Sequence, residues 1–71
     1  MNSTTVTVSG MTCEHCVRAV TEELTALDDV TDVTIDLHAG GDSPVTITSS
    51  APLDPSAVRA AVEEAGYTAT A

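Results

Sequence analysis

The chain has 71 residues, carries a formal charge of −9 from eleven acidic and two basic residues, and contains neither Phe nor Trp. This length accommodates one small domain with a modest aliphatic core, and we expect residues 1–71 to form it. The charge argues against nucleic acid and the anionic face of a membrane as partners. A basic protein surface would suit it, and so would a role in solubility or adaptation to high salt.

Targeting signals are missing from the sequence as it stands. No window approaches the ~20 apolar residues of a membrane span, and the first residues lack the basic and apolar regions of a signal peptide. We therefore expect a cytoplasmic protein without membrane insertion. Thiols stay reduced in that compartment, so two cysteines indicate metal or redox chemistry rather than a structural disulfide.

The first half of the chain predicts a strand, a helix and a second strand. Residues 3–9 alternate threonine with valine, as in a half-buried strand. Apolar residues at helical spacing predict an amphipathic helix over residues 14–27, ended by two aspartates. Val33, Ile35 and Leu37 then alternate with polar residues as a second strand. Val30 is out of phase with them and is expected on the loop or at a bulge.

The second half predicts a strand, a helix and a final strand. A glycine-containing turn at residues 38–43 leads into a third strand at residues 45–48, which completes a hairpin. Asp54 is the expected N-cap of the second helix, with Pro55 at its first position, and Gly66 ends that helix with a positive φ. Residues 67–70 form the last strand. The order β-α-β-β-α-β predicts an α+β, ferredoxin-like fold, a four-stranded antiparallel sheet with two helices on one face.

Both cysteines lie in residues 10–16, GMTCEHC, where the first strand turns into the first helix. Side chains three positions apart on a helical turn have Cβ atoms about 5–6 Å apart. Two metal–thiolate bonds laid end to end span roughly 4.6 Å, so Cys13 and Cys16 can share one ion. Cu(I) prefers soft thiolates, and the helix N-terminus favours the ionised thiol. The motif therefore predicts a Cu(I) site with two thiolate ligands.

Four other interpretations compete for the cysteine pair. A thioredoxin-like dithiol needs a longer chain and rarely has Glu-His between its cysteines. A disulfide closing so short a loop would contribute only about 2 kcal/mol. A closed zinc site needs four ligands, and only His15, between the cysteines, and His38, apart from the motif, could complete it. In the fourth interpretation the domain is an interaction module whose cysteines have no function.

The motif and the order of elements resemble the heavy-metal-associated domain family. Copper chaperones and the metal-binding domains of copper-transporting P-type ATPases belong to it. The resemblance implies that Cys13 and Cys16 are the ligands and that Met11 is a buried support of the loop. Family members selective for zinc or cadmium often have an acidic residue before the first cysteine, whereas Thr12 is similar to the copper type. The segment EAGY resembles bacterial copper chaperones, in which the tyrosine, here Tyr67, sits beside the metal loop.

The residues themselves leave the supporting roles open. Met11 suits core packing, although a thioether can also coordinate copper. His15 is expected to be exposed, with weak coordination or an effect on thiolate pKa as the alternatives. Tyr67 suits a core anchor, a hydrogen-bond donor toward the site, or both.

The sequence contains no catalytic carboxylate pair, Ser/His/Asp set or phosphate-binding loop, and we expect no enzyme. We expect a copper chaperone that passes Cu(I) to a copper-transporting P-type ATPase or a copper-sensing regulator by thiolate exchange. A monomer is expected, with a copper-bridged dimer as the other oligomeric state. The alternative functions are a metal-binding domain of a larger ATPase and a thiol oxidoreductase.

Overall fold

Six elements form one sheet and two helices in the computed structural model, which describes residues 1–70. The elements in chain order are β1 (Asn2–Ser9), α1 (Glu14–Thr25), β2 (Val30–Ile35), β3 (Asp42–Ser49), α2 (Pro55–Glu64) and β4 (Thr68–Thr70). The strands lie in the order β2-β3-β1-β4, and all neighbours are antiparallel. The predicted ferredoxin-like arrangement is confirmed.

The core lies between the sheet and the two helices. β1 and β3 pair along their whole length, from Asn2 opposite Ser49 to Ser9 opposite Asp42. Their alternate side chains are buried in one cluster with apolar residues of both helices, so both helices cover the same face. The buried apolar residues are Val6, Val8, Met11, Val20, Leu24, Val45, Ile47, Val58, Ala61, Val62 and Ala69. Within residues 1–70, neither helix is long and apolar enough to cross a membrane.

The connection from α1 to β2 differs from the sequence prediction in its boundaries. The helix ends at Thr25 rather than at residue 27, and the chain reverses at Asp29, which has a φ of 74°. Aspartate tolerates this left-handed conformation better than most residues. β2 begins at Val30, with a register shift between Val30 and Asp32. Of the two positions expected for Val30, the loop or a bulge, the structure has the irregularity next to it in the strand. The strand ends at Ile35, two residues earlier than the alternating pattern suggested.

The second half of the fold begins with a strand longer than predicted. β3 starts at Asp42 because Ser43, expected in the turn, is fully buried and faces β1 in the ladder. The side chain of Asp54 accepts a hydrogen bond from the Ser56 N–H at 2.9 Å, which confirms the N-cap of α2. Gly66 has a φ of 95°, as predicted, and β4 follows it after Tyr67.

Candidate metal-binding loop

Residues 10–13 connect the end of β1 to the first turn of α1. Gly10 has a φ of 94°, a conformation that side chains rarely adopt, and a Cβ built on it would lie 3.6 Å from the Cδ1 atom of Tyr67. Cys13 is the N-cap residue of α1 in an extended conformation. The local geometry therefore needs glycine at the exit from β1 and places the cysteine pair across the start of the helix.

Met11 and Thr12 point in opposite directions from this loop. The side chain of Met11 has no exposed surface and belongs to the core cluster, whereas Thr12 is exposed. The thioether of Met11 is enclosed by core residues, whereas the thiols of the two cysteines are not. This difference favours a packing role for Met11 over coordination of a metal. The role of Met11 as a support of the loop stays a prediction.

The two thiols lie next to each other at the surface. Cys13 is exposed, Cys16 is half-buried, and both are free. Their Sγ atoms are 3.7 Å apart, far beyond the roughly 2.05 Å of a disulfide bond. The Thr12 hydroxyl lies 3.8 Å from the Sγ atom of Cys16. The expected meeting of the two thiols at one position is therefore present in the fold.

Hydrogen bonds to sulfur make Cys16 unusually acidic. The pKa of its thiol is lowered from the ordinary 9.0 to about 6. The largest cause is the backbone N–H of Thr12, followed by the Tyr67 hydroxyl, the backbone of Cys13 and the Thr12 hydroxyl. Each donor stabilises the thiolate more than the thiol. The lowered pKa favours the thiolate of Cys16 at neutral pH, the form that binds soft metals.

Tyr67 reaches the thiol from the segment between α2 and β4. Its ring is half-buried and packs against the core. Its pKa is raised, chiefly because its hydroxyl hydrogen-bonds to Cys16, with burial as the next cause. The ring therefore packs against the core while the hydroxyl lowers the pKa of Cys16, and the role of Tyr67 in supporting a metal site stays a prediction.

We expect this acidity to appear in the reactivity of Cys16. In a Cys13→Ser variant, the rate of alkylation by iodoacetamide should rise with pH about a midpoint near 6, because the thiolate is the nucleophile. Tyr67→Phe in the same background should move the midpoint upward, since one donor to the sulfur is lost. A midpoint near 9 in the parent variant would contradict the hydrogen bonding described above.

The two histidines do not complete a larger site. His15 is exposed, and the Nε2 atom of His38 lies 3.2 Å from an Asp36 carboxylate oxygen. Across residues 1–70, no group of three or more His, Cys, Asp or Glu side chains is arranged to hold a metal ion. This arrangement lacks the four ligands of a closed zinc site.

One contact with the loop was not anticipated from the sequence. In the hairpin connection of residues 36–41, the N–H of Gly40 donates to the carbonyl of Met11 at 3.1 Å. His38, which the sequence analysis places apart from the motif, pairs through its side chain with Asp36. The consecutive glycines at positions 40 and 41 indicated a turn but carried no information about its partner.

Comparison with known proteins agrees with the geometry. The model of the heavy-metal-associated domain matches residues 5–68, which include the whole cysteine loop. The chain belongs to the heavy-metal-associated domain family. It is 34% identical over 73 residues to the copper chaperone CopZ of Staphylococcus saprophyticus, an alignment that covers 94% of this chain and 96% of the relative.

Two solved structures of the family share the fold. A putative copper-ion-binding protein from Bacillus anthracis is 35% identical, with a TM-score of 0.74, and the match covers 97% of this chain and 94% of that one. The first domain of the human copper chaperone for SOD1, in its copper(I)-loaded form, is 28% identical, with a TM-score of 0.69. That match covers 97% of this chain and 92% of the human domain.

Proposed function

We propose that this protein is a cytoplasmic copper chaperone of one domain, residues 1–71, that carries Cu(I) on Cys13 and Cys16. The observation that carries the proposal is the pair of free thiols, 3.7 Å apart on a surface loop. The low pKa of Cys16 supports it, because metal binding then displaces few protons at neutral pH. The family match, the staphylococcal relative named a copper chaperone and the copper(I)-loaded human domain support copper as the cargo.

The number of thiolates at the loop, rather than the separation of their sulfurs, suits an ion with few ligands. With metal–thiolate bonds of about 2.3 Å, sulfurs 3.7 Å apart would enclose an angle of roughly 107° at the metal. Trigonal coordination needs about 4.0 Å and linear coordination about 4.6 Å on the same bond length. Either geometry would require the sulfurs to move apart, and the exposed Cys13 side chain is the one with room to rotate. Zn(II) would be left two ligands short in both geometries.

An open two-ligand site also suits transfer of the ion. A thiolate of the receiving protein would approach the exposed side of Cys13 and bond to Cu(I) as a third ligand. One of the two original copper–sulfur bonds then breaks, and the oxidation state of copper does not change. We propose a copper-transporting P-type ATPase or a copper-sensing regulator as the receiver. The protein acts as a carrier and not as an enzyme.

Anaerobic titration with Cu(I) against a competing chelator tests the proposal. We expect one Cu(I) per monomer at low loading, and Zn(II) at matched free-ion concentrations should fail to displace it. Mass spectrometry under native conditions separates the monomer from a copper-bridged dimer. Displacement of copper by zinc would contradict the copper assignment, and turnover in an insulin-reduction assay would favour a thiol oxidoreductase.

The acidic surface leads to a prediction about docking. Glu14 and Glu22 are exposed on α1, which starts at the cysteine loop. Complementary charge raises the association rate of two proteins that form a small, transient interface. We therefore propose that the protein that receives copper has a basic docking surface. Glu14→Lys with Glu22→Lys should slow copper transfer to the cognate receiver by about tenfold or more at low salt without changing copper affinity. Glu23, which is half-buried on the same helix, is the next candidate for contact.

The control for this experiment reverses a single carboxylate elsewhere, for comparison with Glu14→Lys alone. Asp28 is exposed beyond the far end of α1, and the 12 residues of the helix span about 18 Å. That distance is about twice the Debye length of ~8 Å at 0.15 M salt. At 0.15 M salt, Asp28→Lys should therefore change transfer less than Glu14→Lys does at the same salt concentration. Transfer that responds neither to salt nor to the helix substitutions would mean that the acidity serves solubility or salt adaptation.

A further inference from the structure

The hairpin connection between β2 and β3 is held in place by its own hydrogen bonds. The N–H of His38 donates to the Ser43 hydroxyl at 2.9 Å, and Ser43 is fully buried at the start of β3. The N–H of Gly41 donates to the carbonyl of His38 at 2.9 Å, which closes the turn. These bonds give the N–H of Gly40 a fixed position relative to the sheet.

That N–H reaches the loop that holds the cysteines. Gly40 donates to the carbonyl of Met11 at 3.1 Å, across 29 residues of sequence. Among the residues that the structure describes, it is the one backbone hydrogen bond that joins positions 10–12 to another element outside the regular ladders. Met11 is therefore fixed twice, by its buried side chain and by its carbonyl.

We infer that residues 38–41 form a positioning latch, with Gly40 as the positioning residue that holds the cysteine loop ready for metal. The inference rests on the proposed function. One residue, Thr12, separates Met11 from Cys13, whose side chain is exposed. Without the latch, the backbone of residues 11–13 would sample several conformations. Copper binding would then have to order this segment, which lowers the affinity. Supporting contacts of this kind typically change metal affinity by ~10–100-fold.

The conformation of Gly40 provides a substitution that breaks the latch. Its φ is 77°, and a Cβ built there would meet no atom within 4 Å. A β-branched residue is strained at this φ, so Gly40→Val should shift the backbone N–H away from Met11. Asparagine tolerates the left-handed conformation and keeps the N–H, so Gly40→Asn should preserve the contact. Gly41→Ala is the matched control, because the added Cβ makes only an ordinary contact with the carbonyl oxygen of His38, at 3.7 Å.

The experiment measures copper affinity and amide hydrogen exchange in the four full-length proteins at a temperature where thermal unfolding shows each to be folded. We expect Cu(I) affinity to fall about tenfold in Gly40→Val, with Gly40→Asn and Gly41→Ala close to the parent. The amide of residue 40 should be protected in the parent and the Asn variant and exchange rapidly in the Val variant. Lower thermal stability in Gly40→Val with parental copper affinity would overturn the latch.

Hydrogen exchange separates this inference from the proposed function. If the parent binds no Cu(I), the proposed function fails, and exchange in the metal-free proteins still decides whether Gly40 holds the loop. If the amide of residue 40 is unprotected in the parent, the latch is refuted. Equal protection of this amide in the parent and in Gly40→Val also refutes it, whether or not the protein binds copper.

Discussion

Replacing either cysteine by serine should abolish chelator-resistant Cu(I) binding. Cys13 and Cys16 place two soft sulfurs 3.7 Å apart, and a hydroxyl oxygen is a poor ligand for Cu(I). We expect Cys13→Ser and Cys16→Ser each to lower Cu(I) affinity by more than the ~100-fold typical of losing an outer contact of a metal site. Competition with a chelator of known affinity, under anaerobic conditions, measures the change.

His15→Ala is the matched control, since it alters the residue between the two cysteines. His15 is exposed and belongs to no three-residue metal cluster within residues 1–70, so stoichiometry should stay at one and affinity should change only slightly. A loss as large as that caused by either cysteine substitution would make His15 a ligand. Copper retained by the double serine variant at the parental level would refute the assignment of both cysteines.

Met11→Ala should cause a large loss of stability. Met11 is among the largest fully buried side chains, and truncation of a buried methionine to alanine typically costs about 2–5 kcal/mol. A domain of this length has a total free energy of unfolding of roughly 4–10 kcal/mol, so much of it would be lost. Chemical denaturation of the metal-free protein, with the slope compared between variants, measures the difference.

Met11→Leu separates packing from coordination. Leucine keeps the apolar character and nearly the volume, so the cost in free energy of unfolding should stay below about 1.5 kcal/mol. It removes the thioether, yet Cu(I) affinity should remain within a few-fold of the parent if Met11 acts as a support of the loop. A loss of copper affinity comparable with the serine variants would make the thioether a ligand.

The order of the six elements followed from local patterns in the sequence. Period-two alternation in β1 and helical spacing in α1 each reflect which face of one element is buried, and neighbouring residues carry that information. The Asp54 cap and the positive φ at Gly66 were predictable for the same reason. The boundaries were less predictable, because β3 starts at Asp42 through pairing with β1, a partner more than 30 residues away.

The sequence by itself determined the type and spacing of the two thiols, since a strand followed by C-x-x-C and a helix brings Cys13 and Cys16 together through local geometry. Only the tertiary structure decided what surrounds them. Tyr67 lowers the pKa of Cys16 because β4 returns beside β1. Gly40 contacts Met11 because β3 pairs with β1 and carries the hairpin connection to this end of the sheet. The contribution of Tyr67 to the acidity of Cys16 and the contact between Gly40 and Met11 join residues distant in the chain, and no local pattern encodes them, whereas the larger contribution of the Thr12 backbone is local.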